Sequence, residues 1–180
     1  MGKNLRWELR LQGIEMVEAY IAFGSNIGDR EANINRALGI LKQKIKIIKI
    51  SPLYQTKPMY LENQEWFLNG AAKVETELTP KGLLDFLKST EKTMGRKDVG
   101  RNGPRIIDLD ILFYSDRVLN ETNLLIPHPK LQERAFVLVP LAEIEPNLIH
   151  PIYKKSIATL LSELKYDKSE IKPKKAGHNE

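Results

Sequence analysis

Asp108 and Asp110 are the residues of this chain best suited to do chemistry. They lie in residues 105–114, RIIDLDILFY, a run whose β-branched and aromatic content reads as a strand. Side chains on a strand alternate between its faces, so the two carboxylates point the same way, about 7 Å apart. Ile107, Leu109 and Ile111 point the other way. Two like charges side by side on an otherwise apolar strand are costly unless a cation neutralises them. Hard carboxylate oxygens suit Mg²⁺, which binds through one or two acids and completes its shell with substrate phosphates. The plainer alternative is a pair of exposed aspartates matched by Arg or Lys.

Cations cluster beside these acids. Residues 95–105, GRKDVGRNGPR, hold Arg96, Lys97, Arg101 and Arg105 against Asp98, with three glycines and a proline. This reads as a mobile basic loop facing an anionic small molecule. Phosphoryl transfer is mostly positioning and charge neutralisation, by metals and by Arg or Lys. A solvated loop that only aids solubility is the alternative. Residues 95–102 are not a P-loop, because the Lys and Ser/Thr are missing and a helix, not a strand, precedes them. FGSNIG at 23–28 is not a nucleophile elbow, because its Ser is outside G-x-S-x-G.

His128 stands between Pro127 and Pro129, which hold its backbone extended. It reads first as a structural hydrogen-bonder, and near phosphates it could donate. Phe67 lies two residues from Asn69, and Phe136 two from Arg134. Core packing accounts for both rings. Two phenyl rings with an amide between them would equally suit a flat heteroaromatic ligand.

The elements that must position these groups follow from periodicity. Residues 17–24 read as a strand. Asp29 is an N-cap, and Ile34, Ala37, Leu38, Leu41 and Ile45 mark one face of a helix. Residues 45–56 and 66–77 read as strands. Thr79-Pro80 starts a second helix, with proline where its missing N–H costs nothing. The strand at 105–114 follows, then a helix within 130–145 and a short one within 156–165. The order predicts a ferredoxin-like βαββαβ sandwich of the α+β class, with an antiparallel sheet and extra C-terminal helices. Residues 1–16 read as a loosely attached leader, 17–165 as one domain, and 166–180 as a polar, frayed tail.

Composition narrows the class further. The 180 residues are 42% hydrophobic, enough for a packed core and against overall disorder. The net charge of +5 is mild. A nucleic-acid binder would show a cationic stripe with interleaved aromatics. There is no cysteine, which excludes disulfides, thiolate metal sites and cysteine nucleophiles. No apolar run approaches the roughly 20 residues of a membrane span. A monomeric cytoplasmic protein that binds neither nucleic acid nor membrane is the expectation.

Five segments, taken together and in order, resemble the 6-hydroxymethyl-7,8-dihydropterin pyrophosphokinases. They are AYIAFGSNIGD at 19–29, SPLYQTKP at 51–58, FLNGAA at 67–72, RNGPRIIDLDIL at 101–112 and LIPHPKLQERAFVLVPLAEIEP at 125–146. The resemblance implies transfer of the β,γ-diphosphate of ATP to the hydroxymethyl oxygen of the pterin, leaving AMP, in folate biosynthesis. It implies that Asp108 and Asp110 hold two Mg²⁺ ions along the triphosphate, and that Arg96 and Arg105 contact the phosphates and assist transfer. Glu91, Arg101, Ile111, His128 and Arg134 would meet the nucleotide. Phe67 and Phe136 would sandwich the pterin, Asn69 would read its edge, and Thr56, Lys57 and Met59 would help. The rival is a ferredoxin-like small-molecule or RNA-binding module without catalysis. An RNA-binding sheet needs exposed aromatics on its central strands, where this chain has acids.

Overall fold

A computed structural model of the protein describes residues 15–59, 63–97 and 103–174. The chain opens with β1 (Val17–Ser25) and α1 (Arg30–Leu41). The Asp29 carboxylate caps α1 by accepting the Ala32 N–H at 3.0 Å. Next come β2 (Lys46–Ile50), β3 (Tyr54–Thr56) and β4 (Phe67–Thr76). The Thr79 hydroxyl then caps α2 (Pro80–Thr93), accepting from Gly82 N at 3.1 Å. β5 (Asp108–Tyr114) is followed by a small hairpin, β6 (Leu119–Glu121) and β7 (Leu124–Ile126). A 3-10 turn at Leu131–Glu133 leads into α3 (Ala135–Ile144), then α4 (Ile157–Glu163) and β8 (Ile171–Pro173).

The main sheet runs β5-β1-β4-β3-β8, with β2 also on β4, and every pair is antiparallel. The single strand expected at 45–56 is two short ones lying end to end along β4. Pro52 breaks it, having no N–H to give to the ladder. Ser51 takes over there: its N–H donates to Ala71 O and its hydroxyl accepts from Ala71 N, both at 2.9 Å.

Helices cover both faces of the sheet. Ile34, Leu38 and Leu41 of α1 and Leu83 and Leu87 of α2 pack with Ile21, Leu109 and Ile111 on one face. Val137, Leu138 and Leu141 of α3 and Leu160 of α4 pack with Tyr20, Leu112 and Phe113 on the other. The central strands are therefore apolar on both sides, and a polar side chain on them marks where a helix does not reach.

Two further features depart from expectation. The hairpin β6–β7 was not foreseen, being too short to show a period. The tail read as frayed forms a 3-10 turn at Lys168–Glu170 and then β8, which pairs with the edge of β3. Its hold is backbone hydrogen bonding, which leaves little trace in side-chain pattern. Among the described residues, no helix is long and apolar enough to cross a membrane.

Candidate active site

A cavity of about 100 Å³ opens on the α3 face of the sheet. β5 supplies Asp108 and Asp110, β4 supplies Phe67 and Asn69, and β3 with its following loop supplies Thr56, Lys57 and Met59. Arg105, His128, Arg134 and Phe136 complete the predicted residues in its wall. Strand alternation does what the sequence implies. Asp108 and Asp110 pair with Gly24 and Ala22 of β1 and face the cavity, while Leu109 and Ile111 enter the opposite core.

Asp108 is gripped on both oxygens. Arg96 reaches Oδ1 and Arg105 reaches Oδ2, each at 2.8 Å. Burial works to raise its pKa, but the charges of Arg105, Arg96 and Lys88 outweigh burial and hold it below the usual carboxylate range. Asp110 has Lys88 Nζ at 3.7 Å. The plain reading of arginine-matched aspartates thus describes Asp108 in part, although the pair is recessed in a cavity rather than spread on the surface.

Glu91 and Ile111, expected at the nucleotide, do not line this cavity. Ile111 is 5% exposed and its side chain lies in the α1–α2 core. Glu91 is 3% exposed and does not line the cavity. Its carboxylate accepts the Leu109 N–H at 2.7 Å and Lys88 Nζ at 3.0 Å, and it pairs with Arg96. Burial raises its pKa against the pull of these partners. Arg96, behind Asp108, bridges the two acids and is not in the cavity wall. Arg101 falls outside the described residues.

Three residues that sequence reasoning passed over hold the site together. Asn26 is buried, exchanges hydrogen bonds with the Arg105 backbone (Oδ1 from N at 2.7 Å, N to O at 3.1 Å), and donates to Gln64 Oε1 at 3.0 Å. It ties the turn after β1 to the base of the basic loop. Lys88 donates to Leu109 O at 3.0 Å, so with Glu91 it grips both backbone groups of that residue. The i,i+3 spacing of Lys88 and Glu91 was the available signal. Gly24 stands opposite Asn69, and a Cβ there would lie 2.1 Å from Asn69 Oδ1. That close approach is why FGSNIG has glycine at this point. The Asn69 amide in turn donates to Thr56 Oγ1 at 2.6 Å.

On the far wall, His128 Nδ1 accepts from Lys130 N at 3.2 Å, which leaves a neutral ring's proton on Nε2, 3.5 Å from Arg134. Burial lowers the His128 pKa, opposed by Asp110. The Arg134 guanidinium stacks 5.6 Å over the Phe136 ring. Its Nε is buried without a hydrogen-bond partner, the one such side-chain atom among the described residues. A buried, unsatisfied cationic donor is suited to an anionic ligand.

The donor set also bears on a divalent cation. Two carboxylates share one wall, and no group of three or more acids, histidines or cysteines able to cage a metal occurs among the described residues. Such a pair fits an ion like Mg²⁺, whose other ligands are phosphates and water.

Residues 20–146 match the family model of 7,8-dihydro-6-hydroxymethylpterin-pyrophosphokinase (HPPK). The chain is 46% identical over 142 residues to the 2-amino-4-hydroxy-6-hydroxymethyldihydropteridine pyrophosphokinase of Aquifex aeolicus, covering 79% of this chain and 89% of that one. It is 44% identical over 128 residues to the Bacillus subtilis protein of the same name, covering 70% and 77%. It is also 46% identical over 148 residues to the folic acid synthesis protein fol1 of Schizosaccharomyces pombe, covering 81% of this chain but only 20% of that longer protein. A crystal structure of Plasmodium falciparum HPPK-DHPS with three substitutions shares the fold, with a TM-score of 0.70 at 19% identity over 84% of this chain and 45% of that one. The chain belongs to the HPPK family.

Proposed function

We propose that this chain transfers the β,γ-diphosphate of ATP to the hydroxymethyl oxygen of 6-hydroxymethyl-7,8-dihydropterin, releasing AMP, as a step of folate synthesis. Family membership and the names of its full-length relatives make it a pyrophosphokinase of hydroxymethyldihydropterin. The observation that carries the reading to these residues is one cavity whose wall brings together Asp108 and Asp110, Arg105 and Arg134, and the rings of Phe67 and Phe136.

At the acidic end, Asp108 and Asp110 would hold two Mg²⁺ ions. Bound there, the ions would neutralise the triphosphate and lower the pKa of the acceptor hydroxyl. Arg105 and Arg96 neutralise Asp108, and a triphosphate in the cavity would offer Arg105 a second anionic partner. Arg105, in the cavity wall, screens charge on the phosphorus under attack. The new bond joins the hydroxymethyl oxygen to the β-phosphorus as the bond to the α-phosphate oxygen breaks. Arg134 and His128 meet the nucleotide with donors. At the other end, Phe67 and Phe136 flank the pterin, and Asn69, fixed by Thr56, reads its edge, with Lys57 and Met59 beside it.

The framework is read as ferredoxin-like with added helices, supported by the antiparallel order β5-β1-β4 with β2 and β3 on the far side. We take the domain expected at 17–165 to extend through β8 of the same sheet, acting as a cytoplasmic monomer on small molecules rather than on nucleic acid. Acids stand on the strand where RNA-binding sheets carry aromatics.

The test is AMP release from ATP in the presence of Mg²⁺. It is expected only when the hydroxymethyl pterin is added, and binding of either ligand without AMP would retire the enzyme in favour of a binding module.

A further inference from the structure

The C-terminal segment does more than finish the chain. β8 closes the outer edge of β3, pairing Thr56 with Ile171, Gln55 with Lys172 and Tyr54 with Pro173. The ladder continues past both ends: Lys57 N donates to Glu170 O at 3.0 Å, and Lys174 N to Leu53 O at 2.7 Å. Side chains add three fastenings. Glu170 Oε1 lies 3.0 Å from Lys57 Nζ, Lys172 Nζ lies 5.6 Å over the Trp66 ring, and Lys174 pairs with Glu31.

The strand so clamped is the one that carries the pterin end of the cavity. β3 is only three residues long, and its Thr56 hydroxyl fixes the Asn69 amide. A second cavity of about 230 Å³ is lined by Glu170 and Tyr166 together with Thr56, Lys57, Met59 and Phe136. The segment is thus the outer wall behind residues that form the inner wall of the substrate cavity. A three-residue edge strand held on one side alone has few interactions to fix its position.

We propose that residues 166–174 are a positioning strap for the pterin end of the site, and that Glu170 sets the place of Lys57. The segment lies beyond the residues matched by the family model. The inference rests on the reading that Thr56, Lys57, Asn69, Phe67 and Phe136 receive the pterin. Its action is on binding of that substrate and not on the nucleotide, whose donors come from β5 and the α3 side.

The test measures pterin and nucleotide dissociation constants separately, by calorimetry, for three variants of the full chain. Glu170→Lys reverses the charge facing Lys57. A chain ended after Lys165 removes the strap. Phe67→Ala reports on the pterin site itself. The truncated chain is expected to lose about tenfold or more in pterin affinity with little change in nucleotide affinity, and Glu170→Lys a smaller part of that loss. Linkage requires the converse: pterin, but not nucleotide, should slow hydrogen exchange at the Lys57 and Lys174 amides. Should the truncated chain fail to fold, Glu170→Lys and the exchange measurement decide alone. Unchanged pterin affinity in Glu170→Lys, or equal loss of both ligands, overturns the strap. If Phe67→Ala binds pterin normally, the site itself has been misplaced and the strap falls with it; if Phe67→Ala weakens pterin and Glu170→Lys does not, the strap alone fails.

Discussion

The Leu109 backbone N–H donates to the Glu91 carboxylate at 2.7 Å, so a buried acid on α2 grips β5 at the residue between the two aspartates. Lys88 takes the Leu109 carbonyl in the same way, and Arg96 runs from Glu91 to Asp108. Helix and strand are locked at the point from which both carboxylates project.

Glu91→Gln keeps an acceptor for Leu109 but removes the charge that Lys88 and Arg96 share. We expect kcat to fall by roughly tenfold or more, with a higher Mg²⁺ requirement and little change in pterin affinity. Glu91→Leu also orphans the Leu109 N–H and should cost about 1–3 kcal/mol of stability in denaturant titration. An unaltered Mg²⁺ requirement in Glu91→Gln would confine the residue to a structural role.

Asp108→Asn and Asp110→Asn should each lower kcat by about a hundredfold or more while the chain stays folded. Relief of like charge on one strand offsets part of what is lost when the arginines lose a partner. Normal turnover of either variant with Mg²⁺ would end the metal assignment, and a melting curve alongside separates lost chemistry from lost structure.

Arg105→Ala should slow the transfer step more than tenfold, about 1.4 kcal/mol of barrier. The measurement is a single-turnover rate at saturating ATP and pterin. Because Asn26 holds the Arg105 backbone and not its side chain, the base of the loop should keep its place in this variant. A single-turnover rate equal to that of the parent would show that the guanidinium only balances Asp108.

Gly24→Ala tests the pterin end. The added methyl would collide with Asn69 Oδ1, and the amide must turn away from Thr56 to admit it. Pterin affinity should drop by about tenfold, with nucleotide affinity retained. Equal binding of pterin by the variant would mean that Asn69 does not read it.

His150 gives the fold a dependence on pH. It is 2% exposed, packed against Phe113 and Tyr153, and its Nδ1 accepts from the N–H groups of Ile152 and Tyr153 at 3.2 and 3.3 Å. Burial depresses its pKa below the ordinary 6.5. A base depressed in the folded state contributes stability that is whole above its unfolded pKa and declines as pH falls below it. The melting temperature should therefore drop on acidification from about pH 7.5 to 5.5, and less steeply in His150→Gln. His128, depressed by burial in the same direction, adds to the slope that remains. Parallel pH profiles for parent and variant would remove His150 from the account.

Much of this site was legible in the chain itself. The i,i+2 acids had to share a face because a strand has a period of two, and the structure puts both in one cavity. The caps at Asp29 and Thr79 were readable for the same local reason, since each side chain reaches only three residues along. Arg105, the two phenylalanines and Asn69 were legible as candidates, and their meeting in one wall followed only from the pairing of β1, β4 and β5 and the packing of α3 against the sheet.

What the sequence determined by itself was local: periods, caps, and which side of β5 carries charge. Tertiary structure alone decided what depends on partners distant in the chain. Glu91 supports β5 because α2 packs against that strand. Gly24 matters because Asn69, forty-five positions on, lies across from it. The polar end of the chain became a strand because β3 had an open edge. Hydrogen bonds and close packing between distant segments set these outcomes, and no run of neighbouring side chains records them.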